Sequence, residues 1–342
     1  MNGFKNTLFL STALGIMASV AAAGDNNAAY LLQSGDDNTA LITQLDNNAR
    51  VGDSGTGPGA AVQDGAMNKI TILQNHNGTV GTGGNYGHRN AGLDQLGDRN
   101  LLDVTQSFGA RAYEVQQVST GATGTATDTT NSATLVQVGN AAVSRINQTY
   151  TGDGSTGTAN VIQVNQGGSQ FQRNTVGNSL GFDPDPRGIY QTGSSNFVDI
   201  DQVAANNDIF IVTQTGVGNS LTASQTGLNN LVEATLQVGN SNSGSLIFNG
   251  NFNGRDGFSI GSDADSVGVA TATLTQLGDF NVASLETIGN DNEFGFYQDG
   301  DSNTATGTQT GDLNQVAVSQ IGTLNVAAFT QTGNGNNAGI SQ

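Results

Sequence analysis

Residues 298–342 read QDGDSNTATGTQ from Gln298, QTGDLNQVAVSQ from Gln309, QIGTLNVAAFTQ from Gln320 and QTGNGNNAGISQ from Gln331, each copy sharing its last Gln with the next. The frame is Q-x-G-x-x-N-x-(Ala or aliphatic)-x-x-x-Q. It runs back without insertion to Gln276, with Thr287 standing once for Gln. A short fixed period marks an array whose units stack on one another and do not fold singly.

With the Gln at position 0, Asn falls at +5, a small or aliphatic residue at +7, an apolar residue at +9 and the next Gln at +11. All these offsets are odd, so in a strand they share one face. The +9 column holds Ile42, Ile72, Val104, Ile146, Ile200, Ile211, Leu285, Phe296, Val318, Phe329 and Ile340. Positions +6, +8 and +10 take the other face, as Thr304, Thr306 and Thr308 do. Gly at +2 supplies the positive φ of a tight turn. One unit is thus a turn plus a strand of about seven residues.

Outside the terminal run the full template occurs at Gln33, Gln63, Gln95, Gln191 and Gln214. Strand-only half copies occupy 27–33, 131–137 and 160–166, and twelve-residue spacings at Gln202–Gln214 and Gln225–Gln237 fit a single-residue bulge. The inward amides identified in this way are Gln33, Asn38, Gln44, Gln63, Asn68, Gln74, Gln95, Asn100, Gln106, Gln191, Asn196, Gln202, Gln214, Asn219 and Gln225. In the terminal run they are Gln276, Asn281, Gln298, Asn303, Gln309, Asn314, Gln320, Asn325, Gln331, Asn336 and Gln342.

A buried amide without a partner costs about 1–3 kcal/mol. Stacking removes that cost, because each amide is both donor and acceptor and can bond its copies one rung above and below. The expected fold is all-β, a flattened β-solenoid with two units per rung, cross-β in character and amyloid-forming. Same-sheet neighbours then lie 22 residues apart in the clean run. About twenty strands, hence about ten rungs, are expected at the strand spacing of about 4.8 Å.

Composition agrees with an array and not with ordinary domains. The 342 residues include 49 Gly, no Trp and 11% charged residues, too few large side chains for a conventional core. The formal charge of −18 removes any electrostatic footprint for nucleic acid and keeps the chain soluble before assembly. The absence of Cys rules out disulfides and thiolate metal sites.

Residues 1–23 read as a secretory signal peptide: Lys5, then an apolar stretch over 8–20, then Ala21-Ala22-Ala23 before Gly24. The domain expectation is therefore a leader over 1–23 and a repeat solenoid over 24–342. Loop insertions rich in Gly, Ser, Thr, Asp and Asn are expected near 52–61, 75–87, 119–130, 178–188 and 243–269.

No catalytic, cofactor or metal site emerges. His76 and His88 flank one insertion without further ligands at useful spacing. The acid pairs Asp263 with Asp265 and Asp291 with Glu293 lack the repeating motif of calcium-binding β-rolls. The scattered acids make no general acid–base pair, so the chain does not read as an enzyme. A monomeric secreted solenoid that binds ice or carbohydrate is the alternative. Its Thr array fails one rung after Thr304, Thr306 and Thr308, at Val326 and Ala328.

The pattern Q-x-G-x-x-N-x-A-x-x-x-Q resembles the curlin repeat of bacterial curli major subunits, over most of 27–342 and most closely at 33–44 and 276–342. The resemblance implies a homopolymeric extracellular amyloid fibre on Gram-negative bacteria, serving biofilm matrix, adhesion and surface colonisation. It also implies a nucleating partner subunit and an outer-membrane secretion channel. A minor or nucleating role is the second alternative, but such subunits carry a basic terminal repeat, and 309–342 holds no Lys or Arg. The chain departs from the family in its length, its insertions and the near absence of a Gly/Asn-rich targeting segment after the leader.

Overall fold

The computed structural model describes residues 17–22, 31–44, 50–51, 61–75, 79–80, 93–107, 111–120, 129–138, 141–152, 159–167, 174–177 and 187–342. Two parallel sheets face each other, with the chain passing from one to the other at every turn. Sheet I stacks Met17–Ala22, Thr39–Gln44, Lys69–Asn75, Asn100–Ser107, Asn131–Val138, Asn160–Gly167, Phe197–Ala205, Ser220–Leu228, Ser243–Asn249, Val282–Ile288, Thr304–Thr310 and Val326–Thr332 in chain order. Sheet II interleaves with it, from Leu31–Ser34 to Asn337–Ser341. The fold is the expected β-solenoid.

Register follows the repeat. In the terminal run Val282 pairs Thr304 and Thr304 pairs Val326, each 22 residues apart. The +7 and +9 residues of both sheets meet in a thin seam, where Ala283, Leu285, Ala305, Val316 and Val318 are all buried. Gly at +2 is obligatory because a Cβ on Gly300 would collide with the Gly322 carbonyl one rung on.

The solenoid has twelve rungs among the described residues, two more than the template count. Arg111–Ser119 and Ala141–Tyr150 are whole strands that lack the leading Asn. Asn174–Val176, in a stretch the template does not register, is the first half of a strand that resumes at Gly188–Ser194. Met17–Ala22, inside the expected leader, adds a parallel strand to Thr39–Gln44.

The insertion expected at 243–269 needs correction. Ser243–Asn249 is a regular strand of sheet I, paired with Ser220–Leu228 and Val282–Ile288. The template missed it because Phe248 occupies the Gln position and Gly244 the +7 position. The true insertion is 255–271. Before it, the Gly254 N–H donates to Asn292 O at 2.8 Å; after it, the Ala272 N–H donates to Phe294 O at 2.7 Å. The loop therefore leaves a strand of sheet II at its +6 residue and re-enters at +7.

The insertions share a plan. Sheet II strands are also split between Arg50–Val51 and Ala61–Asp64, and between Thr79–Val80 and Leu93–Leu96. The expected boundaries at 61, 79–80, 119 and 188 thus fall in strands, while 52–60, 76–78, 81–92, 121–128 and 178–186 lie outside the described residues, with His76 and His88 among them. Strands Asp208–Val217 and Leu231–Val238 carry one extra residue at nearly the same place, the expected bulge, where the N–H groups of Glu233 and Ala234 both reach Ala272 O. The bulge moves Ile211 off the inward column, and Val212 is buried in its stead.

A deletion tests this assignment. Removing 255–271 joins Gly254 to Ala272 and restores the eleven-residue offset from Phe248 to Gln276. The β signal in circular dichroism should be kept by this variant and reduced when 243–271 is removed. Equal retention in both would show that Ser243–Asn249 is not a rung.

Candidate functional site: amide ladders and open edges

The Gln residues of sheet II form one unbroken side-chain ladder. Gln33 Nε2 donates to Gln63 Oε1 at 2.6 Å, and the bond repeats from Gln63 to Gln95, Gln117, Gln148, Gln191, Gln214, Gln237, Gln276, Gln298, Gln320 and Gln342 at 2.7–2.9 Å. The second Nε2 hydrogen crosses to the opposite sheet, as from Gln298 to Val282 O at 2.9 Å and from Gln320 to Thr304 O at 3.0 Å. Each amide thereby ties its own rung together as well as its neighbours. Burial is nearly complete, as at Gln63, Gln95, Gln191, Gln276, Gln298 and Gln320.

Sheet I carries a second, interrupted ladder. Gln137, Gln166, Gln202 and Gln225 bond in series at 2.7–2.9 Å. Phe248 then breaks it, and Thr287 Oγ1 resumes it by donating to Gln309 Oε1 at 3.2 Å, followed by Gln309 to Gln331 at 2.9 Å. The lost amide bonds give way to aromatic packing across the seam. Phe248 lies 5.2 Å from Phe294, which continues through Phe296 to Phe329 at 6.4 and 6.1 Å. Gln44, Gln74 and Gln106 stack in backbone register below Gln137.

The Asn residues build a ladder along each edge. Asn38 Oδ1 accepts from the Asn68 N–H at 2.9 Å, and the pattern passes through Asn100, Asn131, Asn160, Asn196, Asn219, Asn242, Asn281 and Asn303 to Asn325. On the other edge it runs from Asn174 through Asn207, Asn230, Asn253, Asn292 and Asn314 to Asn336. Among the described side chains the expected amides lie in these columns, and Gln44, Gln74 and Gln106 are aligned by backbone register alone. The expected amides lack Gln117, Gln148 and most of the second Asn column, and also Gln137, Gln166, Gln237, Asn131, Asn160 and Asn242, because a full template requires every feature of a unit at once.

A third device had no counterpart in the sequence reading. At +3 an Asn or Asp accepts from the turn one rung earlier: Asn240 N–H to Asp279 Oδ1 at 2.7 Å and Asp279 N–H to Asp301 Oδ1 at 2.8 Å on one edge, Asn290 N–H to Asp312 Oδ1 at 2.8 Å and Asp312 N–H to Asn334 Oδ1 at 2.9 Å on the other. Asp279, Asp301 and Asp312 of the terminal run are therefore structural. Asp265 likewise accepts from Gly261 N–H at 2.8 Å. Among the described residues no group of three or more acidic or His side chains converges as a metal site.

The geometry has a direction. Every Gln–Gln bond donates toward the C-terminal rung, and the oxygens of the two +5 Asn columns accept from it, whereas the +3 Asx oxygens accept from the rung before. At the C-terminal end, Gln331 and Gln342 therefore point an amide N–H outward, and Asn325 and Asn336 an oxygen. At the other end Gln33 offers an oxygen and Asn38 an N–H. The edge strands Val326–Thr332 and Asn337–Ser341 have a partner on one side only among the described residues.

The curlin associated repeat family matches at residues 23–45 and 314–342. No curated protein and no solved structure matches the chain. These two matches, lying toward the two ends of a parallel-strand solenoid, support a curlin-family assignment.

Two substitutions test the ladders and turns. Gln298→Ala removes a buried amide and leaves Gln276 and Gln320 each short of a partner, so it should cost about 1–3 kcal/mol. Thr306→Ala, on the outward face, should stay within about 0.5 kcal/mol in denaturant unfolding. At +4 the backbone is left-handed in repeat after repeat, and Leu324 holds φ 61° while 74% exposed. Leu324→Asn should then stabilise by about 1 kcal/mol, since Asn tolerates this conformation and no packing is lost. A thermal midpoint at or below that of the parent would show that the Leu side chain contributes contacts of its own.

Proposed function

We propose that this protein is the structural subunit of an extracellular curli-like functional amyloid fibre, growing by rung-on-rung addition of identical chains. The observation that carries the reading is the polarity of the ladders. The donor and acceptor set at the C-terminal end complements Gln33 and Asn38 at the N-terminal end, so a second copy continues the sheet II Gln ladder and the Asn38 column only head to tail. Open parallel edges of this kind are templates for another chain.

Removing residues 1–23 as a leader makes Thr39–Gln44 the terminal strand of sheet I, in register to receive Val326–Gln331 of the preceding copy. Gln342 would then donate to Gln33, and backbone register would bring Gln331 onto Gln44. A surface fibre of this kind serves biofilm matrix, adhesion and colonisation in Gram-negative bacteria. A nucleating subunit and an outer-membrane secretion channel are its proposed partners.

Electron microscopy and fibre diffraction of the purified mature chain test the proposal. Unbranched, dye-binding fibres with a meridional reflection near 4.7–4.8 Å are expected. A chain that stays monomeric for days at micromolar concentration would overturn it.

A further inference from the structure

The 255–271 insertion is fastened at both ends of its path. At its root, the Arg255 guanidinium reaches back over two earlier turns, donating to Asn229 O, to Asn206 O at 2.8 Å and to Asp208 Oδ2 at 2.7 Å. The segment then runs as a flap over the outer face of the last three strands of sheet II. That face is smooth beneath it. A Cβ on Gly295 would lie 2.6 Å from Ala270 O, one on Gly339 would collide with the Asp263 carbonyl, and Ala317 between them is fully buried.

Ser259 exchanges hydrogen bonds with Gln315, its N–H donating to Oε1 at 3.1 Å and Gln315 Nε2 donating to its Oγ at 2.8 Å. At the tip, the short helix α1 (Asp263–Ser266) donates its Ala264 N–H to Asn337 Oδ1 at 2.8 Å, on the last strand.

Glu293 lies under this flap at an outward +6 position, yet is 1% exposed. Its Oε1 accepts from the Asp256 N–H at 2.7 Å, and its Oε2 is buried without a hydrogen-bond partner. The charges around it are mostly of its own sign. Asp256 of the flap repels it, and the same Asp256 faces Asp291, which is also beside Asp312. The one flap cation beside it, Arg255, is engaged with Asp208.

We infer that Glu293 is a proton-operated latch, which holds the flap shut over the end of sheet II when protonated and releases it when ionised. Burial raises the Glu293 carboxyl from 4.5 to about 7, repulsion from Asp256 adds to this, and the flap amides oppose it. The closed flap thus binds the proton more tightly than the open one, where the group returns to its ordinary value. Closure is favoured in full below pH 4.5. That advantage is lost as the pH rises to about 7, and nothing more is lost above it. From these two values, the closed-to-open ratio falls about 70-fold between pH 5 and pH 8. Release would also free Asn337–Ser341, the strand that carries α1.

Hydrogen exchange on the full chain, corrected for the intrinsic pH dependence of exchange, reads the latch directly and does not require assembly. Protection of flap peptides over 255–271 should fall by about that 70-fold factor from pH 5 to pH 8 in the parent. It should be independent of pH in Glu293→Gln, which keeps the acceptor and never ionises. A flat profile in the parent, or the same fall in Glu293→Gln, would overturn the inference. Should Glu293→Gln not fold, the carboxyl carbon of Glu293 can be titrated by NMR in the parent and in Asp256→Asn. A parent midpoint near 7 that drops in Asp256→Asn supports the latch, and a parent midpoint near 4.5 refutes it.

Discussion

Everything in this molecule depends on one constraint: a primary amide sealed between two sheets must find its partners along the stack. A Gln such as Gln63 or Gln298 has no access to water, so its hydrogen bonds come from identical residues one rung away and from the facing backbone. Identity between rungs is therefore the condition under which a polar seam can be buried at all. It also fixes register, because a one-residue slip would turn the whole amide column outward. The aliphatic seam of Ala, Val, Ile and Leu supplies burial, but apolar contacts are non-directional and would tolerate slips that the amides do not.

Where the amide rule is relaxed, other contacts take its place. Phe248 interrupts the sheet I ladder, and its ring joins Phe294, Phe296 and Phe329 in a run that crosses the seam. The break falls on the rung that also hosts the 255–271 insertion, whose Arg255 clamps the turns of earlier rungs and whose α1 grips the last strand. The strand is interrupted there, and cross-rung contacts on the outer face accompany the interruption. Burial raises the Asp208 carboxyl, while the Arg255 guanidinium pulls it back toward its ordinary range.

The repeat made the architecture legible, since period 2 within a unit and a common period between units leave little else for the chain to do. The faces, the Gln and Asn columns and the bulged spacing all follow from it. What escaped the template were strands in which one marker was replaced. Ser243–Asn249 ends in Phe248 where Gln is expected, and Gly244 leaves room for the Leu274 side chain from across the seam. The +3 Asx column was hidden because Asp and Asn alternate there with Ser, Thr and Ala, and only the shared hydrogen bond reveals the equivalence. The path of the flap was not legible either. Its contacts with Glu293, Gln315 and Asn337 are long-range, and the small residues beneath it, Gly295, Ala317 and Gly339, look in sequence like ordinary variation.

Among the described residues the split strands all belong to sheet II, at the junction between the first and second halves of a strand, and the strands of sheet I run through uninterrupted. The rod therefore has a plain side and an ornamented side. Copies stacked end to end would repeat this difference along their length, so that one flank of the filament stays flat while the other bears a periodic crest.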